Sequence, residues 1–200
     1  MEKKIAKLVL ATGNQGKARE FAAMLAPFGC EIVMQKDLGV KEPEETGLSF
    51  LENAIIKARA ASVQTNMPAL ADDSGLCVDA LNGAPGIYSA RFCGEHGNDE
   101  GNNAKLLELL KDVPEKKRTA RYWCALCLVR YPEDPVPLCV TASWEGSIAF
   151  KPQGRGGFGY DPLFLVKGRD CTAASLPPQI KDLISHRACA LQKLLAELCY

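Results

Sequence analysis

The sequence predicts an α/β chain, on three observations. Through the first half, short apolar runs that end in turn residues precede segments of helical periodicity. Two long β-like stretches, residues 120–131 and 136–150, flank the turn Pro132-Glu133-Asp134-Pro135 and suggest an antiparallel hairpin long enough to reach into a second lobe. A leucine-rich helical segment closes the chain. Two hundred residues fit one domain, or two closely joined lobes, and can bury a sizeable core. No Gly/Ser linker, internal repeat or low-complexity tract divides the chain, so residues 1–200 read as a single domain. Lys+Arg and Asp+Glu both number 24, which leaves no global basic field for long nucleic acid. No apolar run approaches the length of a membrane span. Met1-Glu2-Lys3-Lys4 leads into a strand and lacks the apolar core of a secretion signal. The expectation is a cytoplasmic protein with no membrane partner.

Taken in order, Lys7-Leu8-Val9-Leu10-Ala11 is an apolar strand ending at Thr12-Gly13-Asn14. Phe21, Met24, Leu25 and Phe28 then recur at helical spacing, until Pro27 and Gly29 stop the helix. Residues 31–34 suggest a second strand, and an acidic loop with Glu42, Glu44 and Glu45 follows. Ser49 is placed to cap a helix from Phe50 to about Gln64, with Glu52 completing a capping box. Ala69-Leu70-Ala71 is a short strand expected to end at Asp72-Asp73-Ser74-Gly75. Residues 82–86 form a turn, and Asp99 starts a helix whose apolar side is Leu106, Leu107, Leu109 and Leu110. Lys116-Lys117-Arg118 reads as a solvated basic loop. A glycine-dense loop, residues 153–162, precedes a strand at 163–166. Ser185 is the expected cap of the last helix.

Several of these joints carry chemistry. Adjacent carboxylates repel, so Asp72-Asp73 invites a cation, and hard oxygen ligands suit Mg²⁺ together with substrate phosphates. Asp72-Asp73-Ser74-Gly75 is also good turn chemistry. Strand, Gly13-Asn14-Gln15-Gly16 loop and helix make an anion site from backbone amides, with Lys17 placed to meet the anion. It is not a Walker A loop, because the spacing is Gly-x-x-Gly-Lys and Ala18 follows; a plain strand-to-helix turn is the alternative. Gly154-x-Gly156-x-x-Gly159 matches the dinucleotide fingerprint literally but lies late in the chain and opens no helix. Phe158, Tyr160 and Asp161 on that loop better suit a flat ring with an acid nearby. His186 and Arg187 fall in a first helical turn, where cations are disfavoured, which suggests an anionic or carbonyl partner. Cys124-x-x-Cys127 has no second pair, and residues three apart on a strand face opposite ways, so the nine cysteines read as buried free thiols.

Thr12-Gly13-Asn14-x-Gly16-Lys17, Glu45-Thr46-Gly47, Glu52-Asn53-Ala54, Ala71-Asp72-Asp73-Ser74-Gly75-Leu76, Gly83-Ala84-Pro85-Gly86-Ile87-Tyr88-Ser89-Ala90-Arg91, Gly157-Phe158-Gly159-Tyr160-Asp161-Pro162 and Ser185-His186-Arg187 stand in one order. With them the chain resembles the inosine triphosphate pyrophosphatase family, in particular its bacterial members acting on dITP and XTP, from about Lys7 to Leu195. The resemblance implies a long, mixed, curved β-sheet with flanking helices, two lobes around a central cleft, and a homodimer. It implies Mg²⁺-dependent hydrolysis of ITP, dITP and XTP to the monophosphate and pyrophosphate, which cleanses the nucleotide pool. By motif, Thr12, Gly13, Asn14, Gln15, Gly16 and Lys17 would hold the triphosphate. Asp73 would be catalytic acid and metal ligand, Glu45 a second metal ligand, and Ser74 a substrate contact. Phe158 would stack on the purine, with Gly159, Tyr160 and Asp161 completing that wall. Lys181, His186 and Arg187 would contact base and phosphate. The chain departs from its relatives at Leu176-Pro177-Pro178-Gln179-Ile180, which carries no acid before Lys181.

The chemistry this implies is attack of water at the α-phosphorus, with Asp73 or Asp72 orienting and deprotonating the nucleophile. A rival reading, a purine-nucleotide-binding regulator without turnover, needs the glycine loops and Phe158 but not the acid pair.

Overall fold

Strand β1 (Lys7–Ala11) is buried from Leu8 onward, and it organises the sheet. It pairs in parallel with β2 (Glu31–Met34), in register Lys7↔Glu31, and with β3 (Ala69–Val78), in register Val9↔Ala69. Parallel neighbours need a crossover, which helices usually supply. Here α1 (Gln15–Leu25) lies between β1 and β2, and α2 (Phe50–Thr65) between β2 and β3. The remaining strands are β4 (Thr119–Val129), β5 (Leu138–Ile148) and β6 (Phe164–Val166), and the six run in the order β2-β1-β3-β4-β5-β6. β6 is antiparallel to β5, so the sheet is mixed. Three further helices, α3 (Asp99–Leu109), α4 (Pro178–Ile184) and α5 (His186–Leu198), complete the chain. The computed structural model describes residues 5–198; the reading of Met1–Lys4 and the side chain of Phe28 lie outside the described set.

Two compact units share the chain. The first comprises Met1–Asp73, Cys124–Thr141 and Ala190–Tyr200; the second Ser74–Trp123 and Ala142–Cys189. The chain changes unit inside β3, β4, β5 and α5, so no linker marks a boundary. The first core is built from small side chains: Ala54, Ala58 and Ala61 of α2 meet Val9, Ala11, Ala69, Ala71 and Ala125 of the sheet. Alanine on both sides lets a helix backbone approach a sheet closely at little side-chain entropy cost. The second core is larger and aromatic. Tyr122, Trp144 and Phe164 cluster with ring centroids 4.7 and 5.2 Å from Phe164, above Leu76, Val78, Leu106, Leu110 and Leu163.

Several sequence expectations change. β3 does not end at the acids but runs ten residues, through Asp72-Asp73-Ser74-Gly75, so this stretch is no turn. Tertiary pairing overrides turn propensity because the strand is buried on both sides of the acids. Arg118 is not solvated: it is 1% exposed, and its guanidinium donates to the carbonyls of Leu110, Ile148 and Ala149 at 2.6, 2.8 and 3.0 Å. It thereby closes the C-terminal end of α3, whose last carbonyls lack helical partners. α3 does begin at Asp99, with Asn98 as its cap accepting from Gly101 N–H, but Leu109 points outward at 48% exposure rather than joining the apolar side. The capping box is a variant. Ser49 Oγ accepts from Glu52 N–H, but Glu52 returns to Ser49 Oγ and Leu48 N–H. Of the described cysteines, Cys124 and Cys127 are buried and the others are partly exposed, so the expectation of buried thiols holds for only two of them. Among the described residues no helix is long and apolar enough to cross a membrane.

Candidate active site

In the first unit, β1 delivers the chain into α1 through Thr12-Gly13-Asn14. Asn14 is the N-cap, and its Oδ1 accepts from the amides of Gly16 and Lys17 at 2.8 and 3.1 Å. Thr12 Oγ1 accepts from the Asn14 amide at 3.2 Å, and Gln15 lies exposed. Gly13 carries the Glu42 carboxylate against its Cα: a Cβ there would collide with Glu42 Oε1, which Gln35 Nε2 holds at 2.7 Å. Lys17 does not stand open to solvent. Its Nζ pairs with Asp72 Oδ1 at 2.9 Å, and the Asp72 side chain is fully buried.

Consecutive side chains on a strand leave in opposite directions, and the two acids accordingly have different partners. Asp72 meets Lys17, with Cys124 Sγ 3.9 Å from its Oδ2. Asp73 meets α2: Lys57 Nζ lies 2.8 Å from its Oδ1, and Asn53 Nδ2 3.4 Å from its Oδ2. Lys57 reaches at the same time to Glu45 Oε1 at 2.9 Å. Asn53 is oriented by accepting the Gly47 amide at 2.8 Å. Burial pushes the Asp73 carboxyl above its ordinary range, against the opposing pull of Lys57 and Lys17. For Lys57 burial acts downward, but Asp73, Asp72 and Glu45 outweigh it and raise its affinity for the proton. The result is a charged cluster in which two lysines neutralise acids that sheltered positions would otherwise protonate.

Asp73 and Glu45 thus converge on one cation, the Lys57 ammonium. Among the described residues no three His, Cys, Asp or Glu side chains converge on a metal point. Two carboxylates completed by ligand oxygens are nevertheless a donor set that suits a hard divalent ion. The residues present fit such a group.

The second unit holds the aromatic and basic residues. Phe158 lies on the glycine loop, with Lys181 Nζ and Arg187 Cζ each 5.0 Å from its ring centre. Asp161 is 2% exposed; its Oδ2 accepts from Lys181 Nζ at 2.6 Å and from the Phe158 amide at 3.0 Å. Gly157 has φ +75°, and a Cβ would strike the Asp161 carboxylate, so glycine is required on both counts. Gly159 is fixed by Asp99 Oδ2 on its amide and Asn103 Nδ2 on its carbonyl. Tyr160 turns into the core, and its hydroxyl donates to the Ser89 carbonyl at 2.9 Å. Pro177 and Pro178 start α4, the second in the first helical turn where a missing amide is harmless, and this seats Lys181. Ser185 Oγ accepts from the Ala188 amide and caps α5, as its position in the sequence suggests. Arg187 Nη1 reaches Ser74 Oγ at 3.2 Å and His186 Nε2 at 2.8 Å. The His186 ring stacks on Tyr122, with centroids 4.7 Å apart and planes 7° apart. Burial, then the neighbouring Asp161, push the Tyr122 hydroxyl well above its ordinary range, so it stays protonated.

Of the residues picked out from the sequence, the structure joins Ser74, Phe158, Asp161, Lys181, His186 and Arg187 through contacts within the second unit, and gathers Lys17, Asp72, Glu45 and Asp73 in the first. Sequence reasoning missed Lys57, the cation common to Asp73 and Glu45, and the orienting role of Asn53. The signal was there: Asn53 and Lys57, four apart, are polar residues beside the Ala54-Ala58-Ala61 face.

The model of the Ham1 family matches residues 8–197, and the chain belongs to that family. Among individual proteins, it is 58% identical over 192 residues to the dITP/XTP pyrophosphatase of Shigella flexneri, covering 96% of this chain and 98% of that one. It is 57% identical over the same length to the dITP/XTP pyrophosphatase of Escherichia coli K12, with the same coverage. Among solved structures, a HAM1 protein from Coxiella burnetii matches with a TM-score of 0.88 at 44% identity, covering 96% of this chain and 98% of that one. The Staphylococcus aureus Ham1 protein matches with a TM-score of 0.84 at 39% identity, covering 96% and 97%.

Proposed function

We propose that this protein hydrolyses non-standard purine nucleoside triphosphates, dITP, ITP and XTP, to the monophosphate and pyrophosphate, with Mg²⁺ as cofactor. The names of the relatives in Shigella flexneri and Escherichia coli support the reaction. The structural observation that carries it is Lys57 Nζ held between Asp73 Oδ1 and Glu45 Oε1, two acids gathered around one positive charge. Asp73 and Glu45 would hold the ion. When bound, Mg²⁺ supplies charge neutralisation at phosphate oxygens and polarises the phosphoryl group.

The chain's own residues do the rest. Lys17 and the positive end of the α1 dipole attract triphosphate oxygens, while the Gly16 and Lys17 amides stay with the Asn14 cap. Binding requires Lys17 to exchange part of its contact with Asp72 for a phosphate oxygen. Asp73, whose carboxyl burial already pushes upward, accepts the proton of the attacking water at a carboxylate oxygen. Lys57 keeps Asp73 oriented and ionised. The second unit carries the residues suited to the base. There Phe158 stacks on the purine, and Arg187 and His186 read its 6-keto oxygen. Adenine, with an amino group at that position, leaves buried donors unpaired, a mismatch that discriminates by ~10⁴-fold in polar pockets. A homodimer in the cytoplasm is the assembly and location in keeping with this reading.

The test is a panel of nucleoside triphosphates with Mg²⁺, reading both rate and product. Pyrophosphate released from dITP, ITP and XTP, well ahead of ATP, is the expected result. Orthophosphate as sole product overturns the assigned bond, and binding without turnover turns the protein into a nucleotide-binding regulator.

A further inference from the structure

The β4–β5 hairpin carries two thiols that neither the proposed reaction nor the core requires to be sulfur. Ile148 N–H donates to the Arg118 carbonyl at 2.9 Å, which fixes the register at the open end of the hairpin. Arg121 faces Glu145 in the same register, with Nε 3.0 Å from Oε1. Carried along both strands, this register sets Cys127 opposite Cys139. Arg118 and Ile148 form a hydrogen-bonded pair, and Cys127 and Cys139 lie nine residues further along each strand. An odd step makes theirs a non-hydrogen-bonded pair, where Cα atoms stand about 4.5 Å apart. That falls within the span a disulfide bridges, about 4.4–6.8 Å. The two side chains pack together in the first unit's core, Cys127 fully buried and Cys139 partly exposed.

The loop end is locked as well. Asp134, 0% exposed, accepts from Arg130 N–H, Nε and Nη2 at 3.0, 2.8 and 2.9 Å, and from Val136 N–H at 3.0 Å. Arg59 of α2 donates to the carbonyls of Pro132 and Asp134 at 3.2 and 2.8 Å. Slippage of one strand past the other, which would part the thiols, is opposed at both ends.

We propose that Cys127 and Cys139 form a reversible oxidation site, closing to a cross-strand disulfide with a peroxide as two-electron oxidant. Cys139 is the more exposed and attacks first. Its thiolate sulfur bonds to one peroxide oxygen, the O–O bond breaks, and hydroxide leaves; Cys139 becomes a sulfenic acid. Cys127 Sγ then attacks that sulfur, the S–O bond breaks, and the hydroxyl departs as water with the Cys127 proton. The hydroxide takes up the proton first lost by Cys139. Two thiols surrender two electrons, and one peroxide becomes two waters. The thiol–thiol hydrogen bond divides the roles in this sense: it holds Cys139 below the usual thiol range and pushes Cys127 up. A dithiol reductant reverses the reaction by exchange.

The full-length protein is treated with hydrogen peroxide, capped with N-ethylmaleimide and digested without reduction. The expected product is a peptide joining Cys127 to Cys139, lighter by two hydrogens than its reduced halves and lost on adding dithiothreitol. In Cys127→Ala the sulfenic acid has no partner, and dimedone labelling of Cys139 rises at least ~10-fold over wild type, since condensation normally consumes it. The same link forming equally in guanidinium-unfolded protein overturns the proposal, because the fold would not be selecting the pair. So does equal dimedone labelling of Cys139 in wild type and Cys127→Ala, or oxidation of other cysteines while this pair stays reduced.

Discussion

Replacing Lys57 with methionine removes the shared cation while keeping length and apolar stem. The Lys57 side chain is 16% exposed, and its partners Asp73 and Glu45 are 10% and 28% exposed. At contacts of 2.8 and 2.9 Å and an effective dielectric of about 20, the gross attraction is about 6 kcal/mol per pair, most of it offset by desolvation. Truncating one partner of a buried pair costs ~3–5 kcal/mol. Glu45 is partly solvated, and Asp73 is able to take up a proton, so the net loss should be about 2–3 kcal/mol. For a chain of this size that lowers Tm by roughly 5–10 °C, read by thermal melting in a metal chelator at neutral pH. The loss carries a pH signature. Burial holds the Asp73 carboxyl above its ordinary range even with Lys57 present, and without Lys57 it rises further. An acid whose native pKa exceeds its unfolded value destabilises the fold as pH climbs from the unfolded value, about 3.9, through the native one. The Lys57→Met deficit should therefore be small near pH 4 and grow toward neutrality. A Tm within about 2 °C of wild type at neutral pH, or a deficit indifferent to pH, would refute the account of this cluster.

Asp73→Asn should keep part of the nucleotide affinity but lower turnover at least ~10²-fold in a pyrophosphate-release assay; near-normal turnover removes Asp73 from the chemistry. Phe158→Ala should weaken substrate binding by ~5–150-fold, the worth of one base–aromatic stack, with KM rising more than kcat falls; an unchanged KM takes the ring off the purine. Asp134 is held below the usual carboxylate range by Arg130, against burial. Its contribution is present above the unfolded carboxyl pKa and lost as pH falls through the native one. Asp134→Asn should cost about 1–2 kcal/mol at pH 7, discounted for the exposed Arg130 side chain, and flatten the acid limb of stability; urea melts from pH 2 to 7 decide it.

Much of the fold was legible because its signals are local. β1 and β2 match their expected bounds, and Ser49 and Ser185 cap the helices they precede. Each depends on apolar period or on a side chain reaching two or three residues. The misreadings share a different cause. Asp72-Asp73-Ser74-Gly75 has turn composition, but β1 pairs along the start of this strand and both acids are buried with lysine partners. Arg118 belongs to a basic run, yet the carbonyls of Leu110, Ile148 and Ala149 gather around it. Nothing within a few residues announces either outcome.

The order of motifs was enough to point to the family and to the residue types a phosphate and a purine require, because those needs are written in side-chain chemistry. Which lysine serves which acid was not. Lys17 meets Asp72 and Lys57 meets Asp73 because strand alternation sends neighbouring acids apart, each toward a different helix. The facing of Cys127 and Cys139 was equally invisible, since it rests on hairpin register set at both ends by Arg118, Arg121 and Asp134. Composition and spacing determine what a side chain is able to do; only the packed backbone decides what it finds within 3 Å, where charge and hydrogen bonding act.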